Sequence, residues 1–482
     1  MNHTNITNIF LNIEEAFNLN SLNINGYYPW IYNRFSLWQS INNPAKKLSL
    51  PNKKKTGGLL HDIISAVKSN SKKKKLSKSK CDILFLCHSR RILNNDFYEC
   101  LYTDALADIF PDSITLETPY KSNTHFSPAK TKELLYTDQI NLKSRTYAYL
   151  IKHLSRRKYD DIKNQIEAII KDPLKQLNDM ANSDINIDYW VNIMTNRYFV
   201  YVSRLKAYRK LIRKISPKII IEVVSYTIDK MIINEVAKEE NITTAELQHG
   251  IIDKYHIAYN YPIGNQIKQF PDKLFLFADF FKDKASYPID RNNLISVGFP
   301  FFEKQLKHFS HIFKKETDIN ILVFLSQPGI TQGIKFDDLA VEMSKRLMLQ
   351  GWKVIFKLHP GELNDWKQRY PILAGSAVEV IDDPNRTLYE IFSISTAVIG
   401  ISTTAIYEGL GFGLSAFIFN ASESDRMGDL CELGYCHKVN NSDELFDAVK
   451  NINCDDKVHL RNIFFKDNAL NNMEENIREL LV

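Results

Sequence analysis

The chain contains no Cys-x-x-Cys pair. Its six cysteines stand singly at 81, 87, 100, 431, 436 and 454, and Cys431 and Cys436 are too isolated to suggest a zinc site. The opening residues MNHTNITNIF lack a basic segment followed by an apolar run, so no secretory signal is expected and a reduced, cytoplasmic compartment is. Nowhere do ~18 apolar residues follow one another, the length a transmembrane helix needs. No Asp-x-Asp pair stands at a strand end; Asp382-Asp383 precedes Pro384 and reads as a turn. No nucleic-acid-binding module or aromatic interleaving accompanies the lysines, which argues against a nucleic-acid partner.

What is present is ordinary in bulk and uneven in place. A chain of 482 residues is too long for one hydrophobic core, so two domains are expected. Hydrophobic residues make up 44% and charged residues 24%, which fits a globular protein. The net charge is +6, and part of the excess is clustered in Lys53–Lys55 and in the run SKKKKLSKSK (71–80). Such a run reads either as a solvated segment or as an attachment to an anionic membrane surface, worth about 1 kcal/mol per lysine. RLKAYRKLIRK (204–214) offers the same pair of readings: a plain surface helix, or a basic amphipathic helix lying on a membrane.

Residues 1–45 show helical periodicity and 46–80 read as a polar linker. CDILFLC (81–87) is a strand candidate, followed by a mostly helical stretch over 125–215. From 217 a regular alternation begins. PKIIIEVV (217–224), TTAELQ (243–248), KLFLFA (273–278) and LISVG (294–298) read as strands, with a helix over 226–240. A second series follows with NILVFLSQPG (320–329), WKVIFKLHPGE (352–362), AVEVI (377–381), TAVIGIS (396–402) and SAFIF (415–419). Strands alternating with helices imply parallel, doubly wound sheets. The expected division is a helical segment and linker over 1–80, an acceptor-side Rossmann-like domain with a helical insertion over 81–315, and a nucleotide-donor domain over 316–482. Two such halves facing a cleft make the GT-B arrangement, an α/β fold. Ligands of these sheets bind beyond the carboxyl ends of the strands, which points to four loops: QHG, SQPG, HPGE and ISTTA.

In GISTTAIYEG (400–409) a strand runs into a helix through Ser402, Thr403 and Thr404. Exposed N–H groups, the helix dipole and three hydroxyls together favour a bound phosphate, against the reading of a simple helix cap. Glu408, four residues after Thr404, is placed to accept from ribose hydroxyls; the other reading is a solvent-facing glutamate. His359 stands at a strand end before Pro360, where its ring could donate to a phosphate or be structural. Lys357 lies on the same side of the strand, two residues earlier, and is a further candidate to bind the donor phosphate. His249 follows a strand in the first series. An imidazole there is a general-base candidate near neutral pH; the alternative is a histidine bonding a loop carbonyl. Asp253 is the rival base. His256, Tyr255 and Glu246 could line an acceptor site or simply pack, and Glu246 could also orient His249 from the strand.

The pairing of K-L-H-P (357–360) with G-I-S-T-T-A-I-Y-E-G (400–409) resembles bacterial glycosyltransferases of capsule and lipopolysaccharide assembly. Sialyltransferases, capsular Kdo transferases and teichoic-acid polymerases share such a His-Pro and Ser/Thr motif. The resemblance covers the C-terminal half and, in part, residues 217–262; residues 1–215 match nothing specific. It implies that His359, Ser402, Thr403 and Thr404 hold the phosphate of a cytidine-nucleotide donor. The teichoic-acid polymerases also place a His-Gly pair where His249 and Gly250 stand. The expectation is therefore inverting, metal-independent and cofactor-free sugar transfer to a surface glycan or lipid-linked acceptor. Three alternatives stay open: alditol-phosphate transfer, 2-epimerisation of a nucleotide sugar, and a non-catalytic carbohydrate- or membrane-binding protein on the same fold.

Overall fold

The computed structural model describes residues 3–42, 79–120, 124–309, 319–421, 423–452 and 459–482. Lys53–Lys55 and residues 71–78 of the lysine run lie outside the described residues. Two helices open the chain, α1 (His3–Ala16) and α2 (Arg34–Asn42). The first sheet then starts with β1 (Ile83–Leu86). A hairpin of β2 (Ile92–Asn94) and β3 (Phe97–Glu99), helix α3 (Asp104–Ile109), β4 (Ser113–Glu117) and β5 (Leu134–Tyr136) follow. Three long helices come next: α4 (Asp138–Leu154), α5 (Arg156–Ala181) and α6 (Ile187–Ile215). The unit continues with β6 (Ile219–Val223), α7 (Ile228–Glu239), β7 (Thr243–Leu247), β8 (Lys273–Leu276) and β9 (Leu294–Ser296). Its seven strands are all parallel, in the order β5-β4-β1-β6-β7-β8-β9.

Helix α8 (Pro300–Phe309) leads into the second unit. It comprises β10 (Asn320–Leu325), α9 (Phe336–Met348), β11 (Trp352–Lys357), β12 (Glu379–Ile381), α10 (Leu388–Ser393), β13 (Ala397–Gly400), α11 (Ala405–Gly411) and β14 (Ser415–Phe419). Then come α12 (Gly428–Glu432), β15 (Cys436–Val439) and α13 (Ser442–Lys450), and finally α14 (His459–Phe464) and α15 (Ala469–Leu481). The six parallel strands run β12-β11-β10-β13-β14-β15. That is the doubly wound order in which the strand sequence reverses at the centre, here between β10 and β13, and between β1 and β6 in the first sheet. The expected two-sheet α/β architecture is present.

Central strands are buried on both faces because helices cover both, and most of their residues are apolar. Ile219–Val223 and Ile83–Leu86 are buried throughout, the pattern of a covered parallel sheet. The strands that the alternation did not reveal are short: β2, β3, β4, β5 and β15, each three to five residues long. In β15 the two central residues are exposed, so no apolar run marks it. The basic stretch 204–214 is the end of α6, and its arginines are engaged by α7. Arg204 pairs with Asp229 at 2.7 Å, Arg209 with Glu239 at 2.6 Å and Arg213 with Glu240 at 2.9 Å. That face is turned to α7, while Lys206, Lys210 and Lys214 are exposed.

Helices α1 and α2, with the turn between them, pack against the long helices α5 and α6 and the loop after β7. The C-terminal helix α15 leaves the second unit and lies on the first, where Met473 and Ile477 join Ile83, Phe85 and Ile221 in one apolar cluster. The chain therefore crosses between units twice, near 297–302 and near 464–469. The crossings touch. Phe302 and Phe465 stack with ring centres 4.1 Å apart, a contact worth about 0.5–1.5 kcal/mol beyond its buried area. Gly298 has φ +96°, and a Cβ there would overlap the Lys466 carbonyl and come within 2.6 Å of the Ala469 Cβ. Gly298→Ala is expected to lower stability by roughly 2–4 kcal/mol through the strained φ and the clash. Urea denaturation reads this directly; an unchanged midpoint would refute the close crossing.

Candidate functional site

The site is built from loops at the carboxyl ends of strands in both sheets. In the first unit β7 ends at Leu247, and Gln248 fixes the turn that follows. Its Oε1 accepts the Phe277 N–H at 2.7 Å and its Nε2 donates to the Gly250 carbonyl at 2.9 Å. His249 emerges from this turn with its side chain 19% exposed. The Tyr226 hydroxyl lies 3.2 Å from its Nε2, and Tyr102 donates to its carbonyl at 2.9 Å. Burial, helped by His256, His88 and Lys230 nearby, holds the imidazole pKa well below its ordinary value. The ring is therefore neutral at physiological pH, the form a proton acceptor needs.

Glu246 lies beneath this loop. It is fully buried, so it touches no acceptor, which corrects the expectation that it would. Its Oε1 accepts from Tyr259 at 2.7 Å and from the Ser225 N–H at 3.2 Å, and stands 3.8 Å from His249 Nδ1. Its register partner on β6 is Glu222, also fully buried. Burial and the neighbouring carboxyl raise the pKa of Glu222, and burial raises that of Glu246. The Lys230 ammonium nearby donates to the Cys87 and Val223 carbonyls.

Asp253 is not available as a base. Its Oδ2 accepts from Arg426 Nε at 3.0 Å and Nη2 at 2.8 Å, and its Oδ1 accepts the Tyr255 N–H. Arg426 belongs to the second unit, so this carboxylate is one half of a clasp between units. Asp429 makes the other half with Lys284 at 2.8 Å and Lys254 at 3.4 Å. Tyr255 is buried, with Thr7 donating to its carbonyl, so it too faces no acceptor. His256 sits among aromatic rings, stacked on Phe35 with centres 5.8 Å apart and close to Tyr226 and Tyr259. Burial and then Arg426 lower its pKa to about 4.

Three loops of the second unit are stitched by two adjacent residues after β10. Ser326 Oγ accepts the His359 N–H at 2.7 Å and donates to buried Glu362 at 2.5 Å. Glu362 also accepts from Tyr370 at 2.7 Å. Gln327 takes the other side: its Nε2 donates to Ser402 Oγ at 3.0 Å and its Oε1 accepts the Ser402 N–H at 3.3 Å. His359 and Ser402 thus flank the β10 loop at the point where strand order reverses. His359 is exposed, and its Nδ1 accepts the Gly361 N–H at 3.0 Å, so the proton of the neutral ring is on Nε2, a donor. Thr403 Oγ1 accepts the Ala405 N–H at 3.3 Å. Lys357 is half-buried; burial, then Arg386, lowers its pKa, and its other charged neighbours are Asp382, Asp383 and Glu390. It belongs with the loop after β12 more than with His359. Glu408 is not solvent-facing: Tyr389 donates to it at 3.2 Å, and burial raises its pKa to about 7.

The two sets of loops meet. A Cβ placed on Gly250 would lie 3.6 Å from Thr404 Oγ1, so QHG and ISTTA face each other across the junction of the units. Sequence reasoning missed Tyr226, Tyr102, Gln327 and Arg426. Only Gln327 had a signal, its place in the SQPG loop. It also missed an ionic cluster on the rim of the first sheet, after β1, β4 and β5. Arg91 binds Glu117 at 2.5 Å and Asp104 at 3.0 Å, and His125 bridges Glu117 at 2.6 Å and Asp138 at 2.8 Å.

No protein-family model matches the chain, and no curated protein does. Among solved structures, the wall teichoic acid polymerase TagF aligns at 10% identity with TM-score 0.44, covering 93% of this chain and 97% of that one. A UDP-N-acetylglucosamine 2-epimerase aligns at 11% identity with TM-score 0.44, over 83% of this chain and 96% of that one. The UDP-GlcNAc 2-epimerase of Methanocaldococcus jannaschii, solved with UDP-GlcNAc and UDP, aligns at 15% identity with TM-score 0.41, over 58% and 81%. The architecture stands on its own strand order, independently of these likenesses.

The rim cluster has a pH signature. Its two carboxylates outweigh the desolvation of His125 and raise its pKa to about 9, against ~6.5 for the unfolded chain. A raised histidine stabilises fully below the unfolded value and loses that contribution as pH climbs through the folded one. His125→Gln is therefore expected to destabilise markedly at about pH 6 and far less at about pH 10. Urea titrations of both proteins at the two pH values check it; a pH-independent difference would contradict a charged His125.

Proposed function

We propose that the chain is a transferase that moves a sugar from a nucleotide-activated donor, with a cytidine nucleotide favoured, to a bacterial surface polysaccharide or lipopolysaccharide acceptor. The observation that carries this reading is the meeting of Gly250 with Thr404. It sets a neutral imidazole on one side of the junction and a group of anion-binding donors on the other. His249 takes the proton of the acceptor hydroxyl. The acceptor oxygen attacks the anomeric carbon as its bond to the donor phosphate breaks, which inverts the centre. The leaving phosphate is received by the hydroxyls and N–H groups of Ser402, Thr403 and Thr404 and by the His359 ring. No metal ion is assigned a role in this scheme. Each oriented donor is worth roughly 10²–10³ in rate when charge develops on the leaving oxygen. Glu408 holds the ribose, Lys357 lies towards the base side, and His256 with Phe35 and Tyr226 lines the acceptor path. Glu246 positions His249 from below.

His249→Ala is expected to reduce kcat by roughly 10²–10⁴, the worth of a general base, while donor binding is retained. Transfer at the wild-type rate by this variant would end the assignment. Because burial keeps the imidazole neutral, the acid limb of the rate profile should lie below the ordinary histidine value of ~6.5. Thermal shifts with CMP, CDP, UDP and GDP test the donor, since a ligand that binds the native state raises Tm. The expected result is a larger rise with the cytidine nucleotides. A new phosphodiester in the product would instead show alditol-phosphate transfer. Epimer formed from a nucleotide sugar without acceptor would show an isomerase. A wild-type protein that turns over no donor would favour a binding protein.

A further inference from the structure

The two cysteines that sequence spacing left isolated come together in space. Cys431 ends α12 and Cys436 starts β15, and their sulfurs are 2.9 Å apart as free thiols. The turn between them explains the approach. Gly434 takes φ +76°, the Gly434 N–H bonds the Cys431 carbonyl at 3.0 Å, and the Tyr435 N–H bonds the Leu430 carbonyl at 2.8 Å. This is the paired 5→2 and 6→1 closure of a helix end around a left-handed glycine. It folds the chain back sharply, so that residue 436 returns beside residue 431. The sequence CELGYC thus encodes a dithiol without the spacing of a redox motif.

We propose that Cys431 and Cys436 form a modification site, a dithiol that low-molecular-weight disulfides convert to an intramolecular disulfide. Cys431 is the attacking sulfur, because it is partly exposed while Cys436, in hydrogen-bond contact with it, is buried. That hydrogen bond and Lys438 lower its pKa, while Cys436 is pushed up, and the thiolate is the reactive form. Cys431 attacks one sulfur of the reagent and releases one thiol, leaving a mixed disulfide. Cys436 then attacks the Cys431 sulfur and releases the second thiol. The two cysteine protons leave with the released thiols, the protein loses two electrons, and the reagent disulfide gains them. The consequence falls on the clasp. Asp429, which holds Lys284 and Lys254 of the first unit, lies on the same short helix two residues before Cys431. A disulfide staples that helix end to β15 and holds the clasp carboxylate in place.

The test is to incubate the reduced, folded chain with oxidised glutathione and analyse it by intact mass and by non-reducing peptide mapping. Wild type is expected to lose two hydrogens and yield a cross-linked peptide joining 431 to 436. Cys436→Ser should instead retain one glutathione on Cys431, and Cys431→Ser should form neither product. Hydrogen exchange of residues 428–436 should slow in the oxidised wild type. A stable glutathione adduct on wild-type Cys431 with no cross-link would overturn the proposal, as would a cross-link to any other cysteine. So would a Cys436→Ser protein that carries no adduct on Cys431.

Discussion

Arg34 is the charge around which the loops of the first unit after β7 are arranged. Its guanidinium is almost wholly buried and could not remain so unpaired. Glu14 meets it with both oxygens, at 2.7 and 2.8 Å, while the Ile257 and Asn260 carbonyls take the remaining N–H groups. The ring of Tyr261 covers its face at 4.0 Å, and Trp30 donates to the same glutamate at 2.7 Å. Residues far apart in sequence are thereby joined: α1 and α2 are fastened to the segment that follows His249. Without this pair the loop over 253–261 would lose two of its carbonyl partners. The Phe35 ring would also lose its place against His256.

This gives the opening helices a physical role. They are the floor on which the loop after β7 rests, much as Glu362, Ser326 and Gln327 form the floor of the second unit's loops. In both units the residues that meet the junction are held from behind by buried polar groups. Gln327 Oε1 accepts the Ser402 N–H as an anion would. An anion at that place would exchange partners with it, and its net strength would come from its charge.

Much of the two-sheet plan was legible because a covered parallel strand must be apolar on both faces, and such runs are hard to mistake. The strand over 415–419 and the helix before Thr243 followed from this alone. What escaped had a physical reason. Strands such as 436–439 carry polar residues on their exposed positions and make no apolar run. The return of the last helix to the first sheet depends on tertiary packing, which a periodic pattern of Met473 and Ile477 does not direct. At the candidate site, the residue types at strand ends pointed to loops that meet in space. Their partnerships did not show: Asp253 looked like a base because Arg426, 173 residues away, is its partner, and Glu246 looked accessible because its burial depends on Tyr259 and β6. Ion pairs between distant residues leave no spacing to read.

The double crossing of the chain also fixes how the molecule can move. Two covalent connections touch at Gly298 and Lys466, so the units cannot separate there and can only pivot. The contacts that must break for such a rotation include the Arg426–Asp253 and Lys284–Asp429 pairs, which are partly open to solvent. Charges at such positions are screened over ~8 Å at physiological salt. Ionic strength, acting on these two pairs, therefore tunes how readily the junction opens.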